Sequence, residues 1–407
     1  MTATRAPLAL LAGLAAALLH LAGALKTASP FAVLPFDLTL AAFGLLLPLL
    51  ALLAATRRWE LDPSLALPLA AAALLPLWLV VAGAWTPSRM VAAAKLPEVV
   101  LAAPVMLAAG LLIGAEPAAR RALCGMSMLV GLALAAMVGW STAGGWALQA
   151  AMETEQAKLH HQLAGLAMAI AAGLAAVRAA EATRPVAALA WLLLVGGLAA
   201  AALVPGGRTA LLALGLGVAL APALRLWLAG RRAAAAGWLA AALGAGLVFA
   251  VLLLLDPGRA AGLRTLERLT AEAGGLEARL GLWSAALDWA GQAAPLGLGT
   301  GGFTIAAGHG ERRGLYPHNH ALEALAEAGL PGLLLWLAAF GGGMVAAIRL
   351  LRAAEPGRAA RIAAMVLPVA MTVMVSTDLG NRMAWFALGL ALSLGVAAHR
   401  PLVARHV

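Results

Sequence analysis

A histidine able to take a proton and two arginines able to hold an anion are the residues of this chain best suited to chemistry. The histidine is His318, in Pro317-His318-Asn319-His320, within the polar stretch 295–332 that reads PLGLGTGGFTIAAGHGERRGLYPHNHALEALAEAGLPG. An imidazole with its ordinary pKa of about 6.5 can accept a hydroxyl proton at neutral pH and be reset for the next turnover. The plainer alternative is a loop histidine that only hydrogen-bonds neighbouring backbone. Arg208 follows Pro205-Gly206-Gly207 at the start of an apolar run, where glycines allow close approach and a helix N-terminus favours an anion; otherwise it is an interfacial anchor. Arg279 sits in Leu276-Glu277-Ala278-Arg279-Leu280, beside apolar surface where a charge ordinarily has a partner or ligand; the alternative is a pair with Glu277 or Glu272. Guanidinium groups form bidentate bonds to phosphate oxygens and stay charged at any relevant pH.

Four weaker candidates for binding or orienting a substrate surround these. Asn319 can instead cap the helix that follows, His320 can simply hold the loop, and Tyr316, the only tyrosine, can mark a membrane interface. Asp378, in Ser376-Thr377-Asp378-Leu379-Gly380-Asn381-Arg382, can orient the histidine or an acceptor, or pair with Arg382 at i+4. Glu153, Glu155, His160 and His161 contain metal-ligand types, but the same letters describe a solvated helix with a Glu155/Lys158 pair, and we read no metal and no cofactor here.

The elements that must position these residues belong to a membrane. The chain is 63% hydrophobic and only 11% charged, against about 25% charged in a soluble domain. Apolar runs long enough to cross a core of about 30 Å recur from end to end. They predict an all-α polytopic protein, residues 1–407 forming one integral domain, with twelve spans near 8–25, 36–56, 64–84, 96–114, 122–141, 163–177, 185–204, 209–229, 237–255, 331–351, 362–377 and 383–398. The first run is read as an uncleaved span rather than a signal peptide. With the N-terminus inside, sixteen Lys and Arg fall on the inner side and six in short outer loops, which predicts both termini in the cytoplasm. The segment 256–328, between spans nine and ten, then faces outward; Leu276, Leu280, Trp283 and Leu287 recur in it at helical spacing, predicting an amphipathic helix on the membrane surface or packed on the bundle. Residues 321–328 read as a helix stopped by Gly329 and Pro331. The net charge of +10 is scattered between apolar runs, so no nucleic-acid face is expected. A single cysteine, Cys124, excludes an internal disulfide framework.

The run His318-Asn319, Leu322-Glu323, Glu327, Gly329 and Gly332, preceded by Pro295-Leu296-Gly297-Leu298-Gly299-Thr300-Gly301-Gly302-Phe303, resembles the signature of the O-antigen ligase and polymerase superfamily. The likeness extends to Gly207-Arg208-Thr209, to Arg279 followed by Trp283, and to about twelve spans with one large loop before the last few. It implies a GT-C-like glycosyltransferase at the periplasmic face of a Gram-negative inner membrane. By the same likeness it is metal-independent, His318 is the base and Arg208 and Arg279 hold pyrophosphate. The implied partners are a glycan on undecaprenyl pyrophosphate as donor, the lipid A-core as acceptor, and membrane lipids. Asp378 matches an acidic residue of the ligases only by its place in a late turn, and Pro317 stands where some relatives carry a further histidine.

Chemistry read from the residues agrees with this expectation. The five aspartates, at 37, 62, 256, 288 and 378, form no D-x-D, the usual ligand pair of metal-dependent glycosyl transfer, and no phosphate-binding G-x-x-x-x-G-K-[ST] is present. One-step attack by a base-assisted hydroxyl inverts the anomeric configuration. A polymerase or O-oligosaccharyltransferase of the same superfamily remains the near alternative. A transporter or flippase is the distant one, since its polar groups belong at the bilayer midplane and in related halves.

Overall fold

The computed structural model describes residues 5–26, 34–143, 155–205, 207–256, 263, 265–266 and 274–399. Lipid offers backbone groups no hydrogen-bond partner, so apolar spans satisfy their own as helices. Among the described residues eleven helices are long and apolar enough to cross a membrane, and Arg382–Gly395 is a shorter apolar one. In chain order the helices are α1 Arg5–Leu25, α2 Leu38–Ala55, α3 Pro63–Trp85, α4 Arg89–Ala115, α5 Pro117–Ala143, α6 Glu155–Glu181, α7 Pro185–Leu203, α8 Arg208–Leu228 and α9 Arg232–Leu255. They continue as α10 Gly274–Gln292, α11 His320–Ala353, α12 Pro356–Val375 and α13 Arg382–Leu392.

Small side chains set how closely these helices pack, as expected where lipid gives no hydrophobic drive between them. Residues 165–177 of α6, mostly Ala and Gly, are buried on every side, so α6 is the central helix. By contrast α9 is apolar all round with Ala235 its only buried residue, the pattern of a lipid-facing helix. Gly110 of α4 and Gly389 of α13 let two backbones touch: a Cβ on Gly110 would come 2.3 Å from the Phe386 carbonyl oxygen, and one on Gly389 2.1 Å from that of Leu107.

The last expected span ends differently. Residues 383–390 of α13 are buried among protein neighbours, so its length is not matched to lipid thickness. The chain leaves it as a strand, β2 Val396–His399, which pairs antiparallel with β1 Arg58–Leu61 in the register Arg58 to His399. Arginines gather at this end of the bundle. Glu181 accepts Arg361 Nη2 at 2.7 Å and Arg225 Nε at 3.2 Å, and Arg57 Nε donates to Glu116 at 3.2 Å.

At the opposite end, α10 packs on the Gly-rich loop through a different face from the one its leucines outline. Ala286 is buried against Phe303 and Ala326, while Leu280 and Leu287 stay half-exposed on the outside. The predicted stop in α11 is present. Gly329 has φ 66° and ψ −162°, backbone essentially restricted to glycine, and a Cβ there would come 2.1 Å from the Pro295 carbonyl oxygen. The break exposes the Ala328 carbonyl, which accepts Trp78 Nε1 of α3 at 2.8 Å, and Thr300 Oγ1 donates to the Leu79 carbonyl at 2.6 Å. The loop ahead of His318 is thereby tied to α3.

Candidate active site

His318 is held in strained backbone one residue before a helix cap. Asn319 caps α11, its Oδ1 accepting from Leu322 N at 3.1 Å while its Nδ2 donates to the Met374 carbonyl at 3.1 Å. His318 has φ 56°, and it is the one non-glycine with positive φ among the described residues. For an L-residue this conformation costs about 1–2 kcal/mol. Such strain clusters at functional sites, which makes the histidine more conspicuous than its sequence position alone. Its ring lies on Tyr316, with centroids 4.1 Å apart. Tyr316 donates its hydroxyl to the Ser376 carbonyl at 3.0 Å, and Trp283 Nε1 of α10 donates to the Pro317 carbonyl at 2.9 Å. The 316–319 segment is therefore fixed from two sides, by α10 and by the turn after α12.

The electrostatics favour a neutral imidazole beside a positive patch. Burial, and then the Arg279 charge, lower the His318 pKa below its usual 6.5, with the Ser376 backbone and Asp378 opposing. Arg279 is itself lowered, first by burial and next by Arg208, so the two guanidiniums are near enough to repel. Among the described residues Arg279 makes no ion pair, and the local pair with Glu277 does not form. The Arg279 guanidinium, with no carboxylate on it among the described residues, is a charge that an anion with several oxygens would suit. Burial, then Asp378, push the Tyr316 phenol well above its ordinary range, so it stays protonated and acts only as a hydrogen-bond donor or packing surface.

The other candidates separate. Asp378 does not pair with Arg382; its Oδ2 lies 3.7 Å from Arg313 Nη2, which also binds Glu98, while Arg382 Nε donates to the Leu19 carbonyl at 3.2 Å. His320 is fully buried within the bundle, its Nε2 3.0 Å from Thr377 Oγ1 and its ring edge-on to Phe340, so it braces the turn rather than joining His318. Among the described residues no group of three metal-ligand side chains forms. Glu153 and the side chains of Glu155, His160 and His161 lie outside the described residues.

Residues 188–337 match the family model for O-antigen ligase. Over that stretch the chain is similar to the O-antigen ligase family. None of the curated proteins matches the chain. The matched segment runs from α7 into α11 and contains Arg208, Arg279, Tyr316 and His318; Asp378 comes from beyond it.

Beneath the candidate site lies a charged core to which sequence reading assigned no role. Lys95 of α4 is 3% exposed and binds Glu323 and Glu327, the latter at 2.6 Å. Glu323 also accepts from Leu379 N at 2.9 Å, and Glu327 from Gly301 N at 2.8 Å. One lysine thus joins α4, α11, the Gly-rich loop and the turn that carries Asp378. The i, i+4 spacing of Glu323 and Glu327 on a helix of alanines and leucines was the available signal. For Glu98 and Arg313 no local signal stood out.

Proposed function

We propose that this protein is a glycosyltransferase that moves a glycan from undecaprenyl pyrophosphate to a sugar hydroxyl of lipid A-core at the periplasmic face. The observation that carries the reading is the juxtaposition of a neutral, strained His318 with the Arg208/Arg279 pair. In the reaction the acceptor oxygen forms a bond to the anomeric carbon as the bond from that carbon to the pyrophosphate oxygen breaks. The acceptor proton passes to His318, and the bonding electrons leave with pyrophosphate. A ring nitrogen of the neutral imidazole supplies the lone pair that takes this proton. Arg208 and Arg279 stabilise the charge that develops on the leaving group, a task that needs fixed positive charge where negative charge grows. Single displacement of this kind inverts the anomeric centre. Tyr316 and Asn319 hold His318 in position, and Asp378 receives the acceptor.

The test supplies purified protein with lipid-linked glycan alone or with lipid A-core. Glycan on lipid A-core only when both are present supports this reading. Longer lipid-linked glycan from donor alone would make the protein a polymerase, and no product from sound protein would refute both.

A further inference from the structure

A cleft of about 620 Å³ lies where α1 and α2 meet α4 and the turn before α13. Its lining divides by chemistry. Leu21, Leu40, Phe43 and Leu101 make an apolar wall, and Leu40 and Leu101 are exposed on the flank of the bundle, so the cleft opens sideways toward lipid. Lys26 and Arg382 bring positive charge to it, and Glu98 and Asp378 bring carboxylates. His20 is the unexpected member. It lines the cleft at 1% exposure, packed on Phe386 at 4.7 Å, and neither ring nitrogen has a hydrogen-bond partner. A buried polar group without a partner is costly, so a histidine kept in this state points to a partner that arrives with a ligand. The Arg382 guanidinium lies alongside, since a Cβ on Gly23, one turn further along α1, would sit 3.6 Å from its Nη2.

We propose that this cleft seats the acceptor: a phosphorylated glycolipid, with an acyl chain along Leu40, Phe43 and Leu101, a phosphate at His20 and Arg382, and sugar hydroxyls toward Asp378 and Glu98. The inference rests on the transferase reading above. The occupant is the acceptor rather than the donor because Arg208 and Arg279, assigned above to the pyrophosphate, do not line this cleft, whereas Asp378, assigned to the acceptor, does. Asp378 lies on the turn after α12 whose Ser376 carbonyl accepts from Tyr316, the residue stacked on His318, so the same turn borders the cleft and the base.

Binding, measured without turnover, separates this inference from the transferase reading. Protein in nanodiscs is titrated with lipid A-core alone and, separately, with undecaprenyl-pyrophosphate-linked glycan, for wild type, His20→Leu, His20→Gln and Ala102→Trp. Ala102 lines the cleft, and a Trp there fills it. His20→Leu removes the unpartnered nitrogens, so thermal stability should hold or rise. We expect it to weaken lipid A-core binding roughly tenfold, the loss of one hydrogen bond to a charged group, with Gln restoring part and donor binding unchanged. Ala102→Trp should weaken the acceptor further. Unchanged acceptor binding in the folded His20 variants overturns the inference, as does loss of donor binding instead, or no acceptor binding by wild type. Acceptor binding that behaves as expected without any glycan transfer leaves the cleft standing and sinks the transferase reading.

Discussion

Replacing Lys95 with Met should damage this protein more than any single change at its surface. The ammonium lies between two carboxylates, each 1% exposed, and Met fills nearly the same volume without a charge. What remains is a pair of buried carboxylates with only Leu379 N and Gly301 N as partners. Removing one partner of a buried ion pair costs about 3–5 kcal/mol, chiefly because the stranded charge stays desolvated. Two stranded charges of the same sign place Lys95→Met at the upper end. Adding Glu327→Gln removes one of them, so the double variant should be more stable than the single, with a coupling of about 1–3 kcal/mol. Thermal unfolding in detergent measures this. Because the carboxylates also hold the Gly-rich loop and the turn of Asp378, transfer by Lys95→Met should slow even where the protein is folded. A Lys95→Met protein as stable as wild type, or additive effects in the double variant, would show that the three side chains do not act as one unit.

Three further outcomes follow from the site. His318 titrates below 6.5, so its neutral form dominates at neutral pH: activity should be level above that value and fall as pH drops through the lowered pKa, and an inflection above pH 7 would exclude it as the base. The same shift makes the unfolded chain take its proton first as pH falls, so this group's contribution opposes folding increasingly below about pH 6.5. Arg279→Lys keeps the charge but loses the fork, and should raise the donor KM roughly tenfold with little change in acceptor KM; wild-type kinetics would remove Arg279 from the pyrophosphate site. Gly329→Ala combines backbone strain of about 1–3 kcal/mol with a steric overlap on Pro295, and should prevent the folded protein from accumulating, as size-exclusion yield would report.

How far the sequence foretold the structure depends on the range of each interaction. Apolar runs announce spans because lipid leaves the backbone no other arrangement, and the Asn319 cap and Gly329 break are local chemistry readable within a turn. The end of α13 was not readable, because residues 396–399 are apolar enough to extend a span yet pair with a strand more than three hundred positions away. Lys95 counted in the sequence only as one more basic residue. Its partner Glu323 is 228 positions distant, and nothing local announces such a pair. The alternative pairing of Asp378 failed for the same reason: Arg382 stands at the favourable spacing, but Arg313 from the loop takes the contact. For the site, His318, Arg208 and Arg279 stood out by residue type, while the strain at His318 and the mutual repulsion of the arginines required coordinates.

The most direct test of the central claim compares wild type with His318→Ala in nanodiscs under saturating lipid-linked glycan and lipid A-core, with donor and acceptor binding measured on the same preparations. Loss of the base should lower the transfer rate by about 10²–10⁴ while both substrates still bind. Transfer at the wild-type rate by a folded His318→Ala protein would contradict the account.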